Sequence, residues 1–156
     1  MTSNISRLTR DDLPRLSQFW VEHWGGEEMV IHGEVVRYDE LEGFVFGDWL
    51  GLLTFMIRGE ECEVISLDSL KEGQGIGIAL IESVIEEAKS RKCRHLYLVT
   101  TNDNLHALGF YQRRGFELVA VHRNAVNESR KIKPSIPLIG ENGIPLRDEI
   151  ELVMLI

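Results

Sequence analysis

The chain has 156 residues, 44% hydrophobic and 27% charged, the balance of one globular domain with enough apolar material for a core. Its net charge of −8 argues against general nucleic-acid binding, and no apolar run reaches the roughly 20 residues needed to cross a bilayer. The polar start MTSNISRLTRDDLP does not read as a secretory leader, and Cys62 and Cys93 are unpaired by spacing and outside any metal-type cluster, so the reading is a reduced, cytoplasmic protein.

Taken in chain order, Ile5 to Thr9 alternates as a first strand. Thr9 or Asp11 can cap the helix that follows, and Pro14 is tolerated in its first turn. Leu13, Leu16, Phe19, Trp20 and Trp24 recur at helical spacing until Gly25-Gly26. From Glu27 to Gly43 the pattern is mixed and reads as a short second helix or a loop. Gly43 to Ile57 reads as a hairpin, with FVF, a turn at Gly47-Asp48 and a long apolar strand. A turn at Arg58-Gly59-Glu60 leads into a further strand, ECEVISLDSL.

Ile76, Leu80, Val84 and Ala88 then form one row, with Ile81 and Ile85 beside it and polar residues opposite. This is the strongest helical signal in the chain. Lys89, Arg91 and Lys92 gather at its end, where the macrodipole favours cations. HLYLVTT (His95 to Thr101) reads as a buried strand. Asn102 or Asn104 caps a helix through about Arg113, ended by Gly115, and FELVAVHR follows as a strand. Residues 124–147 read as a long connection punctuated by proline and glycine, and Asp148 to Ile156 closes as a strand. The order predicts an α/β (α+β) domain built on one central sheet.

Between the third long strand and the strong helix stands KEGQGIG, with glycines at positions 73, 75 and 77. A helix start carries unpaired N–H groups and partial positive charge, and small residues in front of it let a phosphate approach. A P-loop needs a Lys-Ser/Thr pair after its last glycine, where Ile78-Ala79 stand. The dinucleotide fingerprint needs a small residue where Ile78 or Leu80 stands. Both designs fail. A bare glycine turn with no ligand remains open on the glycines alone.

The run Glu72-Gly73-Gln74-Gly75-Ile76-Gly77 resembles the acyl-CoA-binding loop of the GNAT superfamily of N-acetyltransferases, Gln/Arg-x-x-Gly-x-Gly/Ala. Glu72 departs from it by taking the Gln/Arg place. Downstream, Asn104, Ala107, Tyr111, Gly115 and Phe116 resemble that superfamily's second element, in the same order. The resemblance implies a single domain over 1–156, with a mixed, mostly antiparallel sheet of six to seven strands flanked by helices on both faces. It places a CoA-binding core at about 44–121 and a C-terminal loop and strand at 124–156.

It further implies direct acetyl transfer from acetyl-CoA to a primary amine of a small molecule or peptide. The backbone N–H groups of Gly73, Gln74, Gly75, Ile76, Gly77 and Ile78 would take the pyrophosphate, and the main chain of Leu67 and Ser69 would pair with the pantetheine arm. Asn104 would touch the cofactor as well as cap its helix. Tyr111 would protonate the leaving thiolate, a phenol lying close in pKa to an alkyl thiol. Glu61, or Glu63 on the same strand face, would serve as base through water, although solvated turn and edge residues explain these acids better. Packing alone also accounts for a helical tyrosine such as Tyr111.

Trp24 to Glu28 would lie on the acceptor side, with Glu27 or Glu28 attracting a cationic amine, and a helix-ending turn explains the stretch equally well. Residues 124–147 would cover part of the acceptor cleft. Arg113 and Arg114 would reach the CoA 3′-phosphate or, as the charge pattern favours, form a solvated face. His23, His32, His95, His106 and His122 show no ligand spacing, so no metal is assigned. No nucleic acid or membrane partner is expected, while relatives' habit of pairing through sheet edges leaves a homodimer open. The rival class is a non-catalytic CoA-binding sensor or interaction module, and a nucleotide-binding α/β protein is a third reading.

Overall fold

The computed structural model describes residues 4–156. Its main sheet has seven strands: β1 (Ile5–Arg7), β4 (Glu42–Phe46), β5 (Gly51–Arg58), β6 (Glu61–Ser69), β7 (His95–Thr101), β9 (Glu149–Leu155) and β8 (Glu117–His122), in that spatial order. The pairs β1–β4, β4–β5, β5–β6 and β8–β9 are antiparallel. A separate two-stranded sheet joins β2 (Glu28–Ile31) to β3 (Glu34–Arg37). Four α-helices complete the fold: α1 (Leu13–Trp24), α2 (Ile76–Ser90), α3 (Leu105–Arg113) and α4 (Ala125–Ile132). The mixed, mostly antiparallel sheet of six to seven strands inferred from the sequence is borne out. Among the described residues, no helix is long and apolar enough to cross a membrane.

The chain divides into two compact units. The first takes the chain up to Glu27, Arg37–Leu96 and Leu155–Ile156; the second takes Glu28–Val36 and Tyr97–Met154.

In the first unit, α1 and α2 lie on opposite faces of the β4–β5–β6 sheet. Leu16, Phe19 and Trp20 are the buried stripe of α1, spaced as the sequence predicts. Thr9 N–H donates to the Asp12 carboxylate at 2.8 Å, closing a short 3-10 turn ahead of α1. Gly25 ends α1 at φ 80°, its N–H bonded to the Val21 carbonyl, as a left-handed C-terminal glycine does. Ile76, Leu80, Ile81, Val84 and Ala88 are the buried face of α2. Each large aliphatic side chain among them contributes about 1.5–3 kcal/mol by burial.

Helix α2 sits unusually close to β5. A Cβ built on Gly51 would lie 2.3 Å from Ile76 Cγ2 and 3.0 Å from Leu80 Cδ1. Only a glycine lets the first turn of α2 reach the strand.

Two expectations are corrected. The segment 27–43 is neither helix nor loop but the β2–β3 hairpin followed by a 3-10 turn at Tyr38–Glu40. Its two-residue turn, His32-Gly33, has φ of 54° and 74°, the left-handed pair that matches the twist of a tight hairpin. The connection 124–147 begins with helix α4. Asn124 enters at φ 65° and its N–H donates to Asp148 Oδ1 at 2.8 Å. The rest of the connection is fastened by side chains. The Arg130 guanidinium donates to the carbonyls of Ile136, Pro137 and Leu146. Asp103 Oδ2 accepts from Glu141 N–H at 2.8 Å, and Asn102 bonds Pro145 O, Arg147 N–H and Asp148 N–H.

Strand β7 also differs from expectation. It alternates, with Leu96 and Leu98 buried and the residues between them half-buried, so one face carries the packing.

The Gly51 contact generates a stability prediction. Gly51→Ala forces Ile76 or the strand to shift, at a cost of about 1–3 kcal/mol for an overpacked core site. Urea denaturation monitored by circular dichroism should show a lower midpoint with an unaltered slope.

Candidate active site

Strand β6 runs into residues 70–75, and α2 leaves them. Gly73 and Gly75 have φ of 76° and 71°, and a Cβ on either would meet nothing within 4 Å. These glycines are required by backbone conformation rather than by crowding. Gly75 is the N-cap of α2, and no side chain caps the helix. The first helical bond runs from Ala79 N–H to Gly75 O at 3.0 Å. The N–H groups of Ile76, Gly77 and Ile78 therefore precede the helical ladder and carry the positive end of a 15-residue helix.

Gly73, Gln74 and Gly75 are exposed, Ile76 is buried, and Gly77 and Ile78 are intermediate. An anion meeting this turn faces main chain rather than side chain. That fits the diphosphate of CoA. Glu72, the departure from the family motif, is exposed, where water screens its carboxylate.

In the strand before the loop, the register slips between Thr54 and Phe55: Thr54 opposes Ser66, but Phe55 opposes Val64. Ile65 is the extra residue of a β-bulge. Below the bulge, Glu61 and Glu63 oppose Arg58 and Met56; above it, Ser66 and Asp68 oppose Thr54 and Leu52. Directly opposed residues share a face, so Glu61 and Glu63 fall with Ser66 and Asp68. Simple alternation through the strand would have put them with Leu67 and Ser69. Glu61 is exposed, whereas Glu63 is 6% exposed. Leu67 and Ser69 oppose Leu53 and Gly51 on the α2 side, and the Ser69 hydroxyl donates to Lys71 O at 3.3 Å.

Asp68 is a residue the sequence reading did not single out. Trp24 Nε1 donates to its carboxylate at 2.9 Å. Burial pushes the Asp68 carboxyl above the ordinary aspartate range, while the Trp24 bond and the nearby His23 pull the other way. Glu27 is engaged by the Ser17 hydroxyl at 2.5 Å. Trp24 and Ser17 on α1 thus each hold a carboxylate, Asp68 and Glu27 respectively. The sequence signal for Asp68 was an acid at a strand position flanked by Leu67 and Ser69, which alternation alone could not pair with a tryptophan 44 residues earlier.

In the second unit, Asn104 Oδ1 accepts from Ala107 N–H at 3.1 Å and caps α3, a bond worth about 1 kcal/mol. The cap falls on Asn104, not Asn102. Tyr111 is 8% exposed. Its ring packs edge-on against Phe110 and Phe116, both with centroids 5.4 Å away. The ring is a core element of the second unit, so packing alone explains its burial. Arg114, expected on a solvated face, lies over the Phe110 ring at 5.3 Å.

Neither cysteine offers a nucleophile. Both are buried and unpaired. Burial pushes the Cys62 thiol up to about 12 and also raises Cys93, so neither is a thiolate at neutral pH.

The model of the acetyltransferase (GNAT) family matches residues 9–116, and the chain belongs to that family. It is 48% identical over 139 residues to the uncharacterized protein YdhI of Bacillus subtilis (strain 168), a match covering 86% of this chain and 87% of that one. It is similar to a Bacillus subtilis acetyltransferase solved in complex with CoA, with TM-score 0.70, 22% identity and 98% of each chain covered. It is also similar to a GNAT family acetyltransferase from Elizabethkingia anophelis with acetyl-CoA bound, with TM-score 0.68, 23% identity and 99% of each chain covered. At those identities the structural likeness is one of fold. The family makes the chain an acetyltransferase.

The raised Asp68 gives a pH prediction with a definite sign. A carboxyl whose folded pKa exceeds its unfolded value favours the fold when protonated, and that advantage is lost as pH rises through the window between the two values. Asp68→Asn keeps an acceptor for Trp24 and removes the buried charge. Its stability relative to the parent should be higher at pH 7, and the gap should close as pH falls toward the ordinary aspartate value of 3.8. Thermal melts from pH 3.5 to 7.5 measure this; a gap constant across that range contradicts the assignment.

Proposed function

We propose that the protein is an acetyl-CoA-dependent N-acetyltransferase acting on a primary amine of a small molecule or peptide. One observation carries the reading: the uncapped N-terminus of α2 stands directly behind two left-handed glycines whose Cβ positions are open. The backbone N–H groups of Gly73 through Ile78 would hold the diphosphate, and the main chain of β6 around Leu67 and Ser69 would align the pantetheine arm.

Acetyl-CoA supplies the acetyl group as a thioester. The acceptor's neutral amine attacks its carbonyl carbon, the carbon–sulfur bond breaks, and the sulfur leaves with the electron pair. Tyr111 would donate its phenolic proton to that sulfur and regain one from the ammonium by way of water. Asn104 would reach the cofactor with the amide nitrogen that its capping bond does not use. Of the two acids, Glu63 would take the proton from the amine. Both acids share the face of β6 that carries Asp68, and burial alone sets Glu63 apart from the exposed Glu61. The absence of a thiolate at Cys62 and Cys93 favours direct transfer over a cysteinyl intermediate.

The rival reading is a CoA-binding sensor without turnover, and Glu72 in the Gln/Arg position is the feature that favours it. Tyr111→Phe separates the two, because it keeps the ring that packs on Phe110 and Phe116. In an enzyme, thiol release with a reactive amine should fall by about 10²-fold or more, the scale of losing a general acid, while acetyl-CoA affinity by calorimetry stays within twofold. A parent protein that binds acetyl-CoA yet releases no thiol across a broad amine panel would support the sensor. Stabilisation by ATP or NAD with none from CoA would overturn both.

A further inference from the structure

Two histidines 90 positions apart in sequence, His32 and His122, meet in the second unit. His32 is the first residue of the tight turn between β2 and β3, at φ 54°. His122 is the last residue of β8 and opposes Glu149, while Ala120 opposes Glu151. His122, Glu149 and Glu151 therefore stand on one face of the β8–β9 pair. Ala120 leaves room for the His122 ring to lean diagonally, and its Nε2 comes within 3.0 Å of Glu151 Oε1. The His32 ring meets the His122 ring edge-on, at 5.5 Å between centroids and 89°. One donor atom from each of His32, His122 and Glu151 lies within 4.8 Å of the others.

Behind this group stands Glu149, 4% exposed. Its Oε2 accepts from the His32 backbone N–H at 3.4 Å. Its Oε1 has no hydrogen-bond partner and lies 3.6 Å from His32 Nδ1. A buried carboxylate oxygen left in that state is costly unless positive charge faces it.

We propose that His32, His122 and Glu151 bind one Zn2+ ion, with Glu149 as the outer carboxylate that orients His32. Two imidazoles and one carboxylate are the donor set of an open zinc site, with a fourth position for water. The nitrogen content selects zinc, nickel or copper over calcium and magnesium. Tetrahedral ligands about 2.0–2.1 Å from zinc stand about 3.4 Å from one another, and the three donors here already lie within 4.8 Å of one another. Half-exposed His32 gives the ion its path from solvent. Glu149 Oε1 faces the imidazole Nδ1, the position from which a second carboxylate fixes a ligating ring. Bound zinc ties the β2–β3 turn to the β8–β9 ladder and gives the buried Glu149 carboxylate its countercharge.

The test uses the untagged full chain, stripped with chelator and dialysed, titrated with Zn2+ by calorimetry at pH 7.5. One equivalent should bind, and the melting temperature should rise with Zn2+ concentration. His122→Gln and His32→Asn should each weaken binding at least tenfold; asparagine at 32 tolerates the left-handed turn. Glu149→Gln should retain the stoichiometry with affinity reduced about tenfold or more. Co2+ in place of Zn2+ should give ligand-field bands without a thiolate charge-transfer band, which separates this site from Cys62 and Cys93. Failure of the parent chain to take up Zn2+, unaltered affinity in both histidine variants, or a thiolate band would overturn the proposal.

Discussion

The seating of Ile76 on Gly51 is the contact that fixes where α2 begins in the first unit. Ile76 is the first residue of α2 and one of its fully buried ones. Because the strand presents no side chain at Gly51, the helix begins against the sheet instead of a side chain's width above it. The two left-handed glycines deliver the chain to that starting point without strain. The result is a helix whose positive end is fixed in place by core packing, while the turn in front of it stays open. Electrostatic preorganisation needs both: donors that do not move, and nothing standing before them.

The bulge at Ile65 has a comparable role for the side chains. It redistributes the acids of β6, placing Glu61, Glu63 and Asp68 on one face, and it leaves Leu67 and Ser69 with the α2 side. Bulges are enriched beside active sites because one extra residue re-aims everything beyond it. The buried hydroxyl pair Thr54–Ser66, at 2.6 Å, sits at the point where the register shifts and satisfies two polar groups there. On that face, Trp24 and Asp68 bind each other, so the indole belongs to the strand's polar surface as much as to the helix end.

Much of this was legible in the residues. The α2 row, the Gly47-Asp48 and Gly59 turns, the Asn104 cap and the closing strand all rest on local periodicity or turn chemistry, and each stands where local rules put it. The glycine run was legible because positive φ is a local demand. What was not legible came from elsewhere in the chain. The β2–β3 hairpin was missed because His32-Gly33 does the work of the more familiar Asn-Gly pair, and its strands have only four residues each. Helix α4 was missed because it is eight residues long and mostly polar, and its entry is held by Asp148 from 24 positions away. The bulge leaves no mark in an alternating strand. Histidines without ligand spacing looked unrelated until the topology brought two of them edge to face.

The buried cysteines have a use that concerns neither acetyl transfer nor metal. Cys62 lies at the start of β6, at the end away from the glycine loop, and Cys93 lies in the short link between α2 and β7. With both thiols sequestered and protonated, a thiol-specific dye has nothing to attack until those backbone regions open. The rate of dye incorporation under native conditions therefore clocks the opening of the first unit's interior, read from two built-in reporters that require no engineering.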